Sequence, residues 1–298
     1  MSRIQNILDK AEREGTALRT SRLDVPMAAT VPITIEIPTP GAPADAPATI
    51  VPGAPTSHTH ASSASVASPA ETVESFTVRL NGLLIAGLSP KSLAAEQYRQ
   101  LRTRLAHTEG ATSLRTILIT SPQKGEGKSI TAANLALTMA QELQRRVVIV
   151  EADLRKPSLQ QLFGLPAGMG LAEYLAGACE LQDAMKFLPA HNLTVIPAGE
   201  APGNPAELLG STAMRRLLDQ LRTRFDRVIL DTPPVLPLAD VAVLAPIVDG
   251  TLLVVRAGVT PKPAIENALR AFDSSRLLGV VLNESGLEQD YRYEAKTH

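Results

Sequence analysis

The sequence predicts an α/β domain whose mainly parallel sheet is covered by helices on both faces, and three observations predict it. From residue 116 to 283 short, β-branched apolar runs alternate with helix-like segments, the pattern of parallel strands joined by helical crossovers. The first run leads directly into a glycine-rich turn and then a helix. Two later runs end in carboxylates, at Glu151 with Asp153 and at Asp231. In an open parallel sheet, ligands sit at those carboxyl ends.

Taken in order, the first twenty residues place Ile4, Ile7, Leu8 and Ala11 on one helical stripe,. So short a helix is marginal alone in water, so residues 1–20 read as a segment that docks on its own domain or on a partner. Residues 21–75 are rich in Pro, Ala, Ser and Thr. They carry too little apolar surface to offset chain entropy and read as a disordered linker. His58 and His60 belong to that polar stretch. Residues 76–88 alternate enough to suggest a short strand or hairpin. Pro90 then precedes a helix over about 92–107, with Glu96, Arg99 and Arg102 at three-residue spacing on one face,.

Strands are expected near 116–121, 147–153, 193–199, 227–232, 250–256 and 279–283, with helices between them. Aromatics make up 3% of the chain, so the core must be built from Val, Leu, Ile and Ala. The folded domain is expected over 76–286, followed by a polar tail at 287–298.

The chemistry lies at the strand ends. Residues 121–129 read Ser-Pro-Gln-Lys-Gly-Glu-Gly-Lys-Ser between a strand and a helix, the context of a nucleotide phosphate loop. Gly125 and Gly127 let the backbone turn tightly around Glu126, so that N–H groups point at phosphate oxygens. The helix that opens through Ile130 adds its positive end at the same point. Lys128 is placed to reach the outer phosphates of ATP, and the Ser129 hydroxyl to ligate Mg²⁺. Pro122 stands where such loops usually have their first glycine. Asp231 fits the role of anchoring the metal. Glu151 and Asp153, two apart on a strand, are expected on one side, one holding the metal and the other accepting a proton from an attacking hydroxyl.

Composition narrows the class further. A formal net charge of −1 and a pI near 6.5 give no basic surface for nucleic acid,. One cysteine, Cys179, excludes a disulfide framework,. No stretch reaches the roughly 18 apolar residues of a membrane span, and residues 1–20 lack the apolar core of a signal peptide. The chain reads as cytoplasmic.

Residues 90–285 resemble the catalytic domain of bacterial tyrosine kinases linked to capsule and exopolysaccharide synthesis. The phosphate loop at 121–129, the acidic motif at 149–155 ending in Arg155, and the strand 228–231 ending in Asp231 match that family's three motifs in order and spacing. Glu96, Arg99 and Arg102 match its Glu-x-x-Arg-x-x-Arg pattern, which the resemblance associates with ring-like self-association. Glu151 stands where the family has Asp. The resemblance implies an ATP- and Mg²⁺-dependent autokinase whose tail tyrosines, here Tyr291 and Tyr293, receive phosphate from a neighbouring subunit. Fifteen residues follow Asn283, and fully extended they span about 50 Å, enough to cross a subunit boundary. It also implies Asn283 near the adenine, and a membrane polysaccharide co-polymerase whose cytoplasmic tail activates the kinase and recruits it to the inner face of the membrane.

Two other readings compete. MinD/ParA-type ATPase switches share the fold class, but their signature lysine falls at Gln123 here, and residues 287–298 lack an amphipathic membrane helix. The third reading is an ATP-binding scaffold of the polysaccharide machinery without catalysis.

Overall fold

The computed structural model describes residues 78–108, 114–236, 240–271, 273 and 276–284. The expected docking helix, linker and tail, with Tyr291 and Tyr293, lie outside the described residues.

Seven strands form one sheet in the order β3-β4-β2-β5-β1-β6-β7. They are β1 (Thr116–Thr120), β2 (Val147–Glu151), β3 (Lys186–Leu188), β4 (Leu193–Ile196), β5 (Arg227–Asp231), β6 (Gly250–Arg256) and β7 (Leu277–Asn283). All neighbouring pairs are parallel except β3 with β4. Strands β1, β2 and β5 are buried at every position, as near-continuous apolar runs require when both faces of a sheet are covered.

Alternation along those strands divides the core in two. Leu118, Val148, Val150, Val228 and Leu230 point into one layer. Ile117, Ile119, Val147, Ile149 and Ile229 point into the other, the period-2 rule of strands acting within uniformly apolar runs.

Ten helices flank the sheet among the described residues. In chain order they are α1 (Ile85–Leu88), α2 (Leu93–Thr108), α3 (Lys128–Ala140), α4 (Leu159–Leu162), α5 (Leu171–Leu175), α6 (Leu181–Ala184), α7 (Pro205–Leu209), α8 (Thr212–Arg224), α9 (Asp240–Leu244) and α10 (Lys262–Arg270). Helix α8 shows the sequence logic plainly. Met214, Leu217, Leu218 and Leu221 recur on one buried face, and the Ser211 hydroxyl caps the start by accepting from the Met214 N–H at 3.2 Å,.

Helix α3 is different. It is buried at every residue from Thr131 to Ala140, sandwiched between the sheet and helices α1 and α2. Its buried Asn134 is satisfied on both ends of the amide. Its Oδ1 accepts from the Ala86 N–H at 2.9 Å, and its Nδ2 donates to the carbonyls of Leu83 and Ile130,.

The fold departs from the sequence reading in three places. Residues 78–88 are not a strand or hairpin: Val78 makes a single bridge, a turn follows, and α1 closes the segment. Asn81 causes the change, since its side chain accepts from the Leu83 N–H and its carbonyl from the Leu84 N–H, which folds the chain back and buries Leu80 and Leu84,. A seventh strand, β3, was not expected. Three residues in an antiparallel edge strand carry too little periodicity to read. Finally β2 stops at Glu151, so Asp153 lies beyond the strand and the two acids do not share a strand face.

Candidate active site

Strand β1 runs into the phosphate loop, and α3 begins immediately after it at Lys128. Within the loop Gly125 and Gly127 have φ of 81° and 86°, a region where a side chain is strained. Pro122 is absent from the positive-φ residues, which explains why proline fits where a first glycine is usual.

The loop is anchored from its own interior. Buried Glu126 accepts the Gln123 N–H at 2.9 Å and the Thr260 hydroxyl at 2.5 Å. Its backbone carbonyl accepts from Asn283 Nδ2 at 3.0 Å. Asn283 therefore lies against the loop, so close that a Cβ on Gly127 would meet its Nδ2 at 2.1 Å. Ile130 sits in the first turn of α3, half-buried.

Behind the loop the strand tips converge. Glu151 and Asp231 are register partners on neighbouring strands. The Lys128 ammonium lies 2.8 Å from Asp153 and 3.6 Å from Asp231, and donates to the Ser129 hydroxyl at 3.0 Å. Burial works against the charge on Lys128, but Asp231 and Asp153 outweigh it and hold its pKa above the ordinary lysine value,.

The three acids differ in how they are satisfied. Asp231 is fully buried and neither carboxylate oxygen has a hydrogen-bond donor. Burial raises its pKa, with Lys128 pulling the other way. Asp153 is tied by Lys128 and by the Lys156 N–H, at 3.0 Å from its Oδ1. Glu151 accepts three backbone N–H groups, from Ser158, from Leu159 at 2.5 Å and from Ala198 at 3.1 Å. Burial nevertheless pushes its pKa up to about 7, the three donors opposing and Asp231 reinforcing that shift.

A buried carboxylate with no donor, beside a lysine and a serine at the root of a phosphate loop, fits a hydrated Mg²⁺. Among the described residues no group of three or more His, Cys, Asp or Glu forms a ready metal cage. Mg²⁺ bound with nucleotide takes one or two protein oxygens, phosphate and water supplying the rest.

Lys128, Ser129, Glu151, Asp153, Asp231 and Asn283 are thus brought together around the loop, while Tyr291 and Tyr293 lie outside the described residues. Glu151 is committed to backbone donors. Arg102 is engaged within its own protomer, 3.0 Å from Glu142 and 2.8 Å from the Thr138 carbonyl. Glu96 pairs with Arg99 at 2.7 Å, and Arg99 also donates to the Pro90 carbonyl. Sequence reasoning missed Thr260 and Asp240. Thr260 touches the loop from 134 residues away, and Asp240 accepts a two-pronged contact from Arg155. An acid opening the helix after the Asp231-Thr-Pro-Pro turn was the available signal for the second.

Comparison with known proteins agrees with this geometry. A protein-family model described as an AAA domain matches residues 114–259. Tyrosine-protein kinase YwqD of Bacillus subtilis (strain 168) is 38% identical over 217 residues, covering 72% of this chain and 91% of YwqD. The succinoglycan biosynthesis transport protein ExoP of Rhizobium meliloti (strain 1021) is 33% identical over 210 residues, 69% of this chain but 27% of ExoP. The solved kinase domain of Escherichia coli tyrosine kinase ETK matches with a TM-score of 0.62 at 33% identity, covering 67% of this chain and 79% of that one. With a phosphate loop, two acidic strand ends and relatives this similar along almost the whole length of YwqD, the chain belongs to the bacterial tyrosine-protein kinase family.

Proposed function

We propose that this kinase moves the γ-phosphoryl group of ATP onto Tyr291 and Tyr293 in the tail of a neighbouring copy, as part of exopolysaccharide or capsule export. The observation that carries the reading is the meeting of Lys128, Asp153 and Asp231 directly behind the loop of Gly125 and Gly127. The loop N–H groups and Lys128 bind the phosphates, and Lys128, in turning to them, leaves Asp153 free. Asp153 then takes the phenol proton as the tyrosine oxygen bonds to the γ-phosphorus and the bond to the ADP oxygen breaks. Ser129 and Asp231 hold Mg²⁺, which supplies charge stabilisation for the transferring group. Glu151, committed to the backbone, holds the frame rather than the proton. Asn283 borders the nucleotide.

The tyrosine inventory supports tail acceptors. The chain has four tyrosines. Tyr98 is half-buried against the core, where desolvation raises its pKa while Thr131 and Asn134 pull it back. Tyr174 is half-buried on α5, its hydroxyl 3.5 Å from Gln220. Tyr291 and Tyr293 remain. We extend the proposal to self-association through Glu96, Arg99 and Arg102, and to activation at the inner membrane face by the cytoplasmic tail of a polysaccharide co-polymerase. Among the described residues no helix is long and apolar enough to cross a membrane.

The test is incubation of purified protein with ATP and Mg²⁺, alone and with candidate activator tails, followed by phosphotyrosine mapping by mass spectrometry. Label on Tyr291 or Tyr293 that disappears in Lys128→Met is the expected result. ADP release without label in every condition would instead support a nucleotide switch, and neither signal a scaffold.

A further inference from the structure

The chain after β2 carries Asp153, and α9 follows the turn that leaves Asp231 at the end of β5. These two loops are joined by a contact outside the reacting groups. Arg155 Nε donates to Asp240 Oδ2 at 2.6 Å, and its Nη2 to Asp240 Oδ1 at 3.1 Å. Asp240 is fully buried, whereas the Arg155 side chain is 38% exposed. A planar guanidinium bound through two nitrogens fixes direction as well as distance.

Two residues along the chain, Asp153 faces Lys128 and caps the Lys156 N–H. The loop is thus held by its backbone at 152 and through side-chain contacts at 153, 155 and 156. The contact of Asp153 with Lys128 is lost when Lys128 turns to phosphate, and the Lys156 contact moves with the loop itself. Beside the backbone bond from the Ala152 N–H to the Asp231 carbonyl at 2.7 Å, the fork to Asp240 is the side-chain tie that reaches from this loop to another element and stays in place. We propose that Asp240 is a positioning residue for phosphoryl transfer: through Arg155 it holds the loop bearing Asp153 in register with the turn after Asp231, so that the base stays aimed when Lys128 departs. This inference rests on the assignment of Asp153 as proton acceptor given above.

Misplacing a reacting group by about 1 Å costs on the order of 100-fold in rate. The nucleotide, held mainly by the phosphate loop, should be indifferent. Breaking one side of a buried ion pair also destabilises a protein, whereas replacing both partners with apolar groups of similar volume is often close to neutral. The decisive comparison is therefore Asp240→Asn against the double variant Arg155→Met/Asp240→Leu.

For each, the initial rate of tail labelling at saturating ATP, Mg-ADP affinity by calorimetry and Tm are measured on the full chain. Expected for the double variant is a Tm near wild type, labelling still down about 100-fold, and Mg-ADP affinity within threefold. Asp240→Asn should show the same loss of labelling with a lower Tm. If it does not fold, the double variant decides. Labelling restored along with Tm, or affinity falling in parallel with rate, would overturn the positioning role and leave the kinase reading standing. A wild-type protein that never labels its tail under any activator would overturn both.

Discussion

The tips of β2 and β5 stand side by side, Glu151 in register with Asp231, and both carboxylates are buried to 0% exposure. At the β2 tip three backbone N–H groups converge on the acid. At the β5 tip no donor meets either oxygen. The extra methylene of Glu151, relative to the aspartate usual in the family, lets it reach the start of α4 and the backbone at Ala198. A buried polar group that is fully bonded is part of the scaffold; one left bare at a site is held for a ligand. On the proposed reading the same residue chemistry at adjacent strand ends does two different jobs, and the surrounding backbone decides which.

The sharpest way to break that contrast is Asp231→Asn. Labelling should fall about 100- to 1000-fold, while the Tm of the nucleotide-free protein changes little, because the burial cost of the charge and its attraction to Lys128 are removed together,. Lost Tm with retained labelling would reverse the two roles. Glu151→Ala should do the opposite. Three N–H groups lose their acceptor, so urea unfolding should show a loss of about 3 kcal/mol or more, with Mg-ADP affinity of the folded protein little changed.

The pH dependence of stability sharpens the same point. Glu151 titrates near 7 in the folded protein, against an ordinary value of 4.5. Between those values the folded state binds the proton that the unfolded state has released, so stability falls as pH rises through this window and levels off above it. The whole window corresponds to about 3 kcal/mol. Denaturation at pH 5 and pH 7.5 should show a steeper fall in the wild type than in Glu151→Gln, the difference between the two reporting Glu151. The smallest effect is expected at the loop itself. Thr260→Val removes one hydrogen bond to Glu126, worth about 1 kcal/mol, and should weaken Mg-ADP binding severalfold, with Thr260→Ser restoring it.

What the sequence disclosed follows the same division. The apolar runs at β1, β2 and β5 are long and continuous, so their positions along the chain and the acidic ends of β2 and β5 were legible, as was the glycine-rich turn. The three-residue β3 was not, because so short a strand shows no period. Residues 78–88 misled because buried Leu80 and Leu84 alternate like a strand while Asn81 turns the chain. The jobs of Glu151, Thr260 and Asp240 depend on partners brought close by folding: Ala198 is 47 positions from Glu151, Thr260 134 from Glu126, and Arg155 85 from Asp240. No local pattern records such pairs, although the residue types at the chemical centre could be named.

The hydrogen bond from Asn283 to the Glu126 carbonyl spans 157 positions, and it has a consequence for biogenesis. The cradle for nucleotide is closed by almost the last described residue of the sheet. A nascent chain still threaded through the ribosome at β6 has its glycine turn but not its final brace. ATP should therefore gain its full hold only after synthesis of the domain is complete.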